Sequence, residues 1–277
     1  MTELEEQVTS HYGRNDLLDA ILGGLKAQGS DLDHLKPEDL APVDEFHTAG
    51  RATTIKALDL APISAGMNIL DAGCGIGGTS RHLAIERDCH VTGVDLTPEY
   101  IEVAAALSER MGLAEKCEFA TGNITNLSFP TSSFDGVATF HVAMNIDNRP
   151  KLYGELARVL KPGGFLCIFD VMKGPTEGMR YPVPWSEDGT TSFLRSRNEM
   201  RELLKTAGFK ISAEEGLRDF AMDFFEKVFA NAAGADGPPP LGLHLLTGDN
   251  SPEKFANYFE ALKDHQIEPV IMIATKT

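Results

Sequence analysis

From Met67 onward, short apolar and β-branched runs alternate with longer amphipathic stretches, the pattern that builds a parallel sheet covered by helices. Strands are predicted at residues 68–72, 90–95, 117–121, 134–140 and 165–171, with helices between them at 79–86, 98–111 and 151–160. The run Arg158-Val-Leu-Lys-Pro-Gly-Gly164 ends the last of these helices with cationic side chains and breaks it before the next strand. Residues 173–192 then hold Pro175, Pro182, Pro184, three glycines and the only tryptophan, Trp185, and read as a loop over a site. A helix at 197–207 stops at Gly208, and 209–214 with 268–275 read as two further strands. Between those strands lies an insertion of about 219–264, helical at 219–230 and 251–264 and joined through a loop at 234–240, which reads as a cap. Residues 1–60, helical around 16–27, form a second cover, so the chain divides into an N-terminal lid over 1–60 and one α/β domain over 61–277.

The first predicted strand runs into Asp71-Ala-Gly-Cys-Gly-Ile-Gly-Gly78, a glycine turn that opens a helix. Gly73, Gly75 and Gly77 allow a tight turn and bring a ligand against backbone N–H groups with Cys74 between them. The same stretch also fits GxGxxG through Gly73, Gly75 and Gly78, so the turn alone is compatible with a dinucleotide. Asp71 tips the balance, because a carboxylate two residues before the first glycine suits the ammonium of an aminoacyl group and repels a pyrophosphate. Asp95, eighteen residues beyond Gly77 and followed by Leu96, is placed to accept both ribose hydroxyls. After the third strand, the Asn123 side-chain carbonyl and the Ile124 N–H are placed for an adenine ring.

These residues, with Ser133-Phe-Asp-Gly136 and Arg158-Val-Leu-Lys-Pro-Gly-Gly164, resemble class I S-adenosylmethionine-dependent methyltransferases of type 11 over roughly 67–171. The resemblance implies a Rossmann-like seven-stranded sheet with the last strand antiparallel, a binding crevice at the carboxyl ends of the strands, and S-adenosyl-L-methionine as cofactor. Asn123 departs from it, aspartate being commoner there. The segments Leu40-Ala-Pro-Val-Asp-Glu-Phe-His47, Thr139-Phe-His-Val-Ala-Met-Asn-Ile146, Tyr181-Pro-Val-Pro-Trp185 and Ser192-Phe-Leu194 are similar to a bacterial subgroup often labelled sarcosine/dimethylglycine N-methyltransferases. That likeness implies a small amine acceptor such as a glycine derivative. O- or C-methylation of a phenolic or quinone metabolite, and a cofactor-binding protein without turnover, stand as alternatives.

Methyl transfer from sulfonium needs alignment more than acid–base help, since the cofactor carries the chemistry. His141, just past the fourth strand, is the candidate to orient the acceptor or take its proton, with Asn145 four residues on, unless Asn145 caps the following helix. Tyr12 is a candidate to cover the methionine part of the cofactor. His47 and Arg51 are candidates for the acceptor, Arg51 by clamping a carboxylate, and Trp185 for an aromatic wall.

A formal net charge of −16 repels nucleic acid and anionic membrane surfaces, no apolar run is long enough to span a bilayer, and the acidic N-terminus is unlike a secretory signal. The expectation is therefore a cytoplasmic enzyme with a small-molecule substrate and neither a nucleic-acid nor a membrane partner; assembly as a homodimer is left open. Cys74, Cys89, Cys117 and Cys167 lack metal-ligand spacing, so reduced thiols and no metal are expected.

Overall fold

The computed structural model describes residues 2–14, 16–232 and 237–277, so three residues of the expected 234–240 loop, 234–236, lie outside the described residues. Seven strands, β1 (Asn68–Ala72), β2 (His90–Asp95), β3 (Cys117–Thr121), β4 (Phe134–Phe140), β5 (Leu160–Lys173), β6 (Phe209–Gly216) and β7 (Ile267–Lys276), form one sheet in the order β3-β2-β1-β4-β5-β7-β6. The first five are parallel, and β7 runs antiparallel to both β5 and β6, as the class I methyltransferase resemblance implies.

The helices are α1 (Glu3–Tyr12), α2 (Leu17–Ala27), α3 (Pro37–Asp44), α4 (Gly50–Leu60), α5 (Gly78–Glu86), α6 (Pro98–Arg110), α7 (Arg149–Val159), α8 (Arg197–Thr206), α9 (Arg218–Ala232), α10 (His244–Thr247) and α11 (Ser251–Lys263). Alternation along the strands sends Leu70, Val137, Leu166 and Ile168 to one face, against Leu152 and Leu156 of α7 and Met200 and Leu204 of α8. Ile69, Ala138, Cys167 and Phe169 go to the other, against Ala57 and Leu58 of α4 and Leu83 of α5. Covered on both faces, the central strands read as continuous apolar runs.

Two expectations shift. Strand β5 begins at Leu160, paired with Phe134, so Pro162 and the two glycines sit in an irregularity within the strand and do not precede it. The first 60 residues hold four helices where one was expected. Helix α1 buries no residue, and its clearest local signal is the capping box of Thr2 and Glu5.

Strand β1 lies between β2 and β4, so the connections leave in opposite directions on its two sides. A crevice opens at such a switch point, beyond the carboxyl ends of the strands. Over it pack two further apolar clusters. One joins α2, α6 and α10 through Leu17, Ile21, Val103 and Leu246; the other joins the cap to β5 through Phe225, Tyr258, Val171 and Trp185. No helix among the described residues is long and apolar enough to cross a membrane.

Candidate functional site

The crevice is a cavity of about 1530 Å³. That exceeds the roughly 300–1,000 Å³ of a pocket for one small ligand, so it has room for two. Its lining includes Tyr12, His47, Asp71, Gly73, Cys74, Gly75, Asp95, Leu96, Asn123, Ile124, His141, Asn145 and Trp185, all of them read as site residues from the sequence.

The glycines of the β1–α5 turn divide their work. A Cβ on Gly73 would come within 2.3 Å of Val142 Cγ2, on Gly77 within 2.9 Å of an Arg81 nitrogen, and on Gly78 within 2.3 Å of the Asp44 carbonyl. Only backbone fits at those positions, because neighbouring protein takes the space. A Cβ on Gly75, at φ +53°, would meet nothing within 4 Å, which makes Gly75 the glycine of the turn with open space before it. Gly77, expected to meet a ligand, lies outside the cavity lining and is required for packing against α6.

Two carboxylates flank this turn. Asp71, at 2% exposure, accepts from Ser80 Oγ at 2.6 Å, and among the described residues no cationic side chain pairs with it. Burial pushes its pKa up to about 7, with Glu45 and Asp95 adding to the rise and the Ser80 hydrogen bond opposing it. Asp95 accepts the Gly75 N–H at 3.0 Å and the Thr97 N–H at 2.9 Å, keeping lone pairs for further donors, and burial moves its pKa upward as well. The hydroxyl of Tyr100, in the same lining, is buried and has no hydrogen-bond partner among the described residues.

Asn123 is more constrained than the sequence suggested. Its side-chain oxygen accepts the Thr125 N–H at 2.8 Å and its amide donates to Glu5 Oε1 at 2.5 Å, tying α1 to the loop after β3. An amide suits this position because a carboxylate would face Glu5. Helix α1 is pinned again where the Tyr12 hydroxyl donates to Asn145 Oδ1 at 3.1 Å, and His11 Nε2 lies 3.1 Å from the Pro184 carbonyl.

Past β4 the backbone turns through His141 at φ +53°, with its N–H donating to the Phe169 carbonyl at 2.7 Å. The imidazole lies 4.6 Å from the Phe169 ring, and burial, with His47 nearby, holds its pKa well below the usual histidine range, so it is neutral at physiological pH. Its Nε2 is 3.4 Å from Thr48 Oγ1, which lies 2.5 Å from the Tyr258 hydroxyl. Asn145 does not cap α7, a role taken by Asn148. Its amide instead donates to the Trp185 and Thr191 carbonyls, both at 2.9 Å, bracing the loop over 173–192.

His47 Nε2 lies 2.8 Å from Glu45 Oε2 and from Thr54 Oγ1. Burial works to raise the Glu45 pKa, but the His47 and Thr54 hydrogen bonds outweigh it and leave a carboxylate. Trp185 is buried, donates to Ser192 Oγ at 2.9 Å and stands edge-on to Tyr258. Arg51 is not brought to the cavity: its guanidinium lies 3.9 Å from Glu86, so the carboxylate clamp read for it has no place in the lining. Sequence reasoning missed Thr48, Tyr100 and Tyr258. Thr48 directly follows the quoted segment ending at His47, whereas Tyr258 gave no signal, being 210 residues away from the partner that gives it meaning.

Residues 70–168 match the family model described as a methyltransferase domain, covering the two carboxylates, the glycine turn and His141. Over this segment the chain is similar to methyltransferase domains. The chain is 36% identical over 166 residues to a sterol 24-C-methyltransferase of Aspergillus fumigatus, an alignment covering 57% of this chain and 43% of that one. The chain thus spans about half the length or less of the sterol relatives it matches. Among solved structures, the geranyl diphosphate C-methyltransferase of Streptomyces coelicolor A3(2), with Mg²⁺, geranyl-S-thiolodiphosphate and S-adenosyl-L-homocysteine, superposes with a TM-score of 0.73 at 16% identity, covering 100% of this chain and 99% of that one. The [4+2]-cyclase SpnF superposes with a TM-score of 0.65 at 22% identity, covering 94% and 93%. At such identities these two share the fold of the methyltransferase domain with this chain; chemistry has to be argued from the site.

Proposed function

We propose that the protein transfers a methyl group from S-adenosyl-L-methionine to a small-molecule acceptor, leaving S-adenosylhomocysteine. The observation that carries this reading is Asp71, a buried carboxylate without a cationic partner among the described residues, in the same cavity lining as the open backbone of Gly75. An isolated buried charge is costly, and the group's own ammonium is the complement it lacks. Asp95 fits the ribose hydroxyls. Leu96, Asn123 and Ile124 fit the flank of the adenine, and Tyr12, Cys74 and Gly73 close the remaining side. S-adenosylmethionine, when bound, supplies a methyl group activated on sulfonium. The chain's own task is to hold the acceptor in line and shed water, which α1 and the cap serve by covering the crevice. His141, neutral and facing the same cavity, is placed to orient the acceptor and receive its proton.

The test begins with calorimetry: S-adenosylhomocysteine binds and NAD does not. Methyl-labelled S-adenosylmethionine offered with amines, phenols and thiols then gives labelled product with at least one class. Binding of S-adenosylhomocysteine without turnover on any acceptor would instead make the chain a cofactor-binding protein without methyl transfer.

A further inference from the structure

Much of the apolar lining of the cavity comes from outside residues 70–168. Phe224, Phe225 and Phe229 of α9 and Phe255 of α11 line it, with Leu243, Leu246 and the buried Trp185. Phe224 and Val228 keep 36% and 41% of their surface exposed although they line the cavity, so apolar area there is left uncovered by protein. Uncovered apolar surface in a concave site is the complement of an apolar ligand.

The charge of the lining points the same way. Among the described lining residues carboxylates outnumber cations, and the two cationic side chains, Arg14 and Lys151, are both exposed. Arg14 is further engaged, with the Leu245 carbonyl at 3.1 Å and Asp16 at 3.7 Å. The proposed donor brings its carboxylate together with two positive groups, an ammonium and a sulfonium, whereas an acceptor whose charge is an uncompensated carboxylate or phosphate would enter an acidic cavity without a buried partner, and desolvating it there is unfavourable.

Tyr258 connects the apolar wall to the reacting end. Its ring lies 5.3 Å from Phe225 and 6.0 Å from Trp185, while its hydroxyl lies 2.5 Å from Thr48 Oγ1, itself 3.4 Å from His141 Nε2. A molecule lying along this ring has its hydrocarbon against the phenylalanines and its polar end at Thr48 and His141. We propose that the acceptor is an uncharged, largely hydrocarbon alcohol or phenol, its body on the Phe224–Phe225–Phe255 wall and its single hydroxyl held by the Thr48–Tyr258 pair beside His141. This rests on the methyl-donor reading given above. In the transfer it fits, the hydroxyl oxygen forms the new O–CH3 bond, the S–CH3 bond breaks with its electron pair passing to sulfur, and the hydroxyl proton goes to the His141 imidazole and on to solvent.

The experiment is a calorimetric titration of the protein, with and without saturating S-adenosylhomocysteine, using 4-hexylphenol, 4-hexylbenzoate and sarcosine as probes. The expected result is 4-hexylphenol binding at least about tenfold more tightly than 4-hexylbenzoate, with no heat from sarcosine, and a Phe224→Ser variant weakening 4-hexylphenol by about tenfold at unchanged S-adenosylhomocysteine affinity. Tighter binding of sarcosine or 4-hexylbenzoate, or an unmoved 4-hexylphenol affinity in Phe224→Ser, overturns the proposal. Failure of S-adenosylhomocysteine to bind instead overturns the donor reading, and the phenol-to-benzoate ratio measured without it still decides the acceptor class.

Discussion

At the proposed donor end of the cavity, consecutive strand ends deliver Asp71, Asp95 and His141 within about 70 residues of chain, whereas the apolar end draws Thr48, Trp185, Phe225 and Tyr258 from four separated segments. The first end is held by backbone. Gly73, Gly77 and Gly78 are dictated by packing, its carboxylates are fixed by N–H and hydroxyl donors, and the strands beneath are covered on both faces. The second end is held by side chains, those of Phe225 and Tyr258 on helices inserted between β6 and β7 and those of Thr48 and Trp185 on loops outside that insertion. A fold divided this way keeps one ligand fixed and lets the other vary with the insertion.

The division breaks most sharply at the glycine turn. Gly73→Ala combines a left-handed backbone with a Cβ driven into Val142, and is expected to lower the unfolding free energy by about 2–4 kcal/mol in urea titrations. Gly75→Ala meets only the backbone term, about 1–2 kcal/mol, yet fills the space proposed for the ligand. It is expected to lose S-adenosylhomocysteine affinity far out of proportion to its stability. Equal stability losses with equal retention of ligand would erase the distinction between packing glycine and ligand glycine.

Asp71 sharpens the same contrast through pH. Its carboxyl, near 4 in an unfolded chain, is raised to about 7 in the fold by burial, so between those values the folded state holds a proton that the unfolded state has released. Stability of the ligand-free protein from this group is therefore greatest at low pH and falls as pH climbs through about 7. A ligand ammonium needs the ionised form, so the thermal shift produced by S-adenosylhomocysteine should grow over that interval. Asp71→Asn is expected to cut the affinity about 10- to 100-fold at pH 8, the range for a charge-assisted bond, while flattening this part of the stability curve. Parallel melting-temperature curves for the two proteins would show that Asp71 is not the titrating group.

Asn145 tests how the two ends are joined. It alone links the Tyr12 hydroxyl, the Trp185 carbonyl and the Thr191 carbonyl, and Asn145→Ala leaves two buried carbonyls without that donor. The expected cost is about 1–3 kcal/mol in urea unfolding, with faster proteolysis of the 173–192 loop.

The strand ends were legible because their signals are local. Apolar runs of five to seven residues marked β1 to β4 to the residue, and the glycine turn with Asp71 and Asp95 follows directly from them. The start of β5 was obscured by Pro162 and two glycines, which announce a break although Leu160 already pairs with Phe134. Tyr258 was illegible for a different reason: on α11 it is one aromatic among several at helical spacing, and it becomes distinctive only when folding sets its hydroxyl against Thr48. Arg51 shows the opposite error, a residue chemically apt for a carboxylate that the turn of α4 carries to Glu86 on the outer surface.

The smallest expected effect lies where α1 meets the loop after β3. Asn123→Asp keeps the acceptor for the Thr125 N–H but sets a carboxylate against Glu5 at the position where the amide now donates. Because the pair is only part-buried, the repulsion should amount to about 0.5–1 kcal/mol, and salt should screen it. Since α1 buries no residue of its own, that energy falls largely on its docking rather than on global stability. Hydrogen exchange should therefore report a rise of about two- to fivefold in the α1 amides at low ionic strength, fading toward 1 M salt, with the sheet amides unchanged. A rise spread evenly over the sheet would mean that Asn123 supports the domain itself, and a rise indifferent to salt would mean that charge against Glu5 is not what the amide at this position avoids.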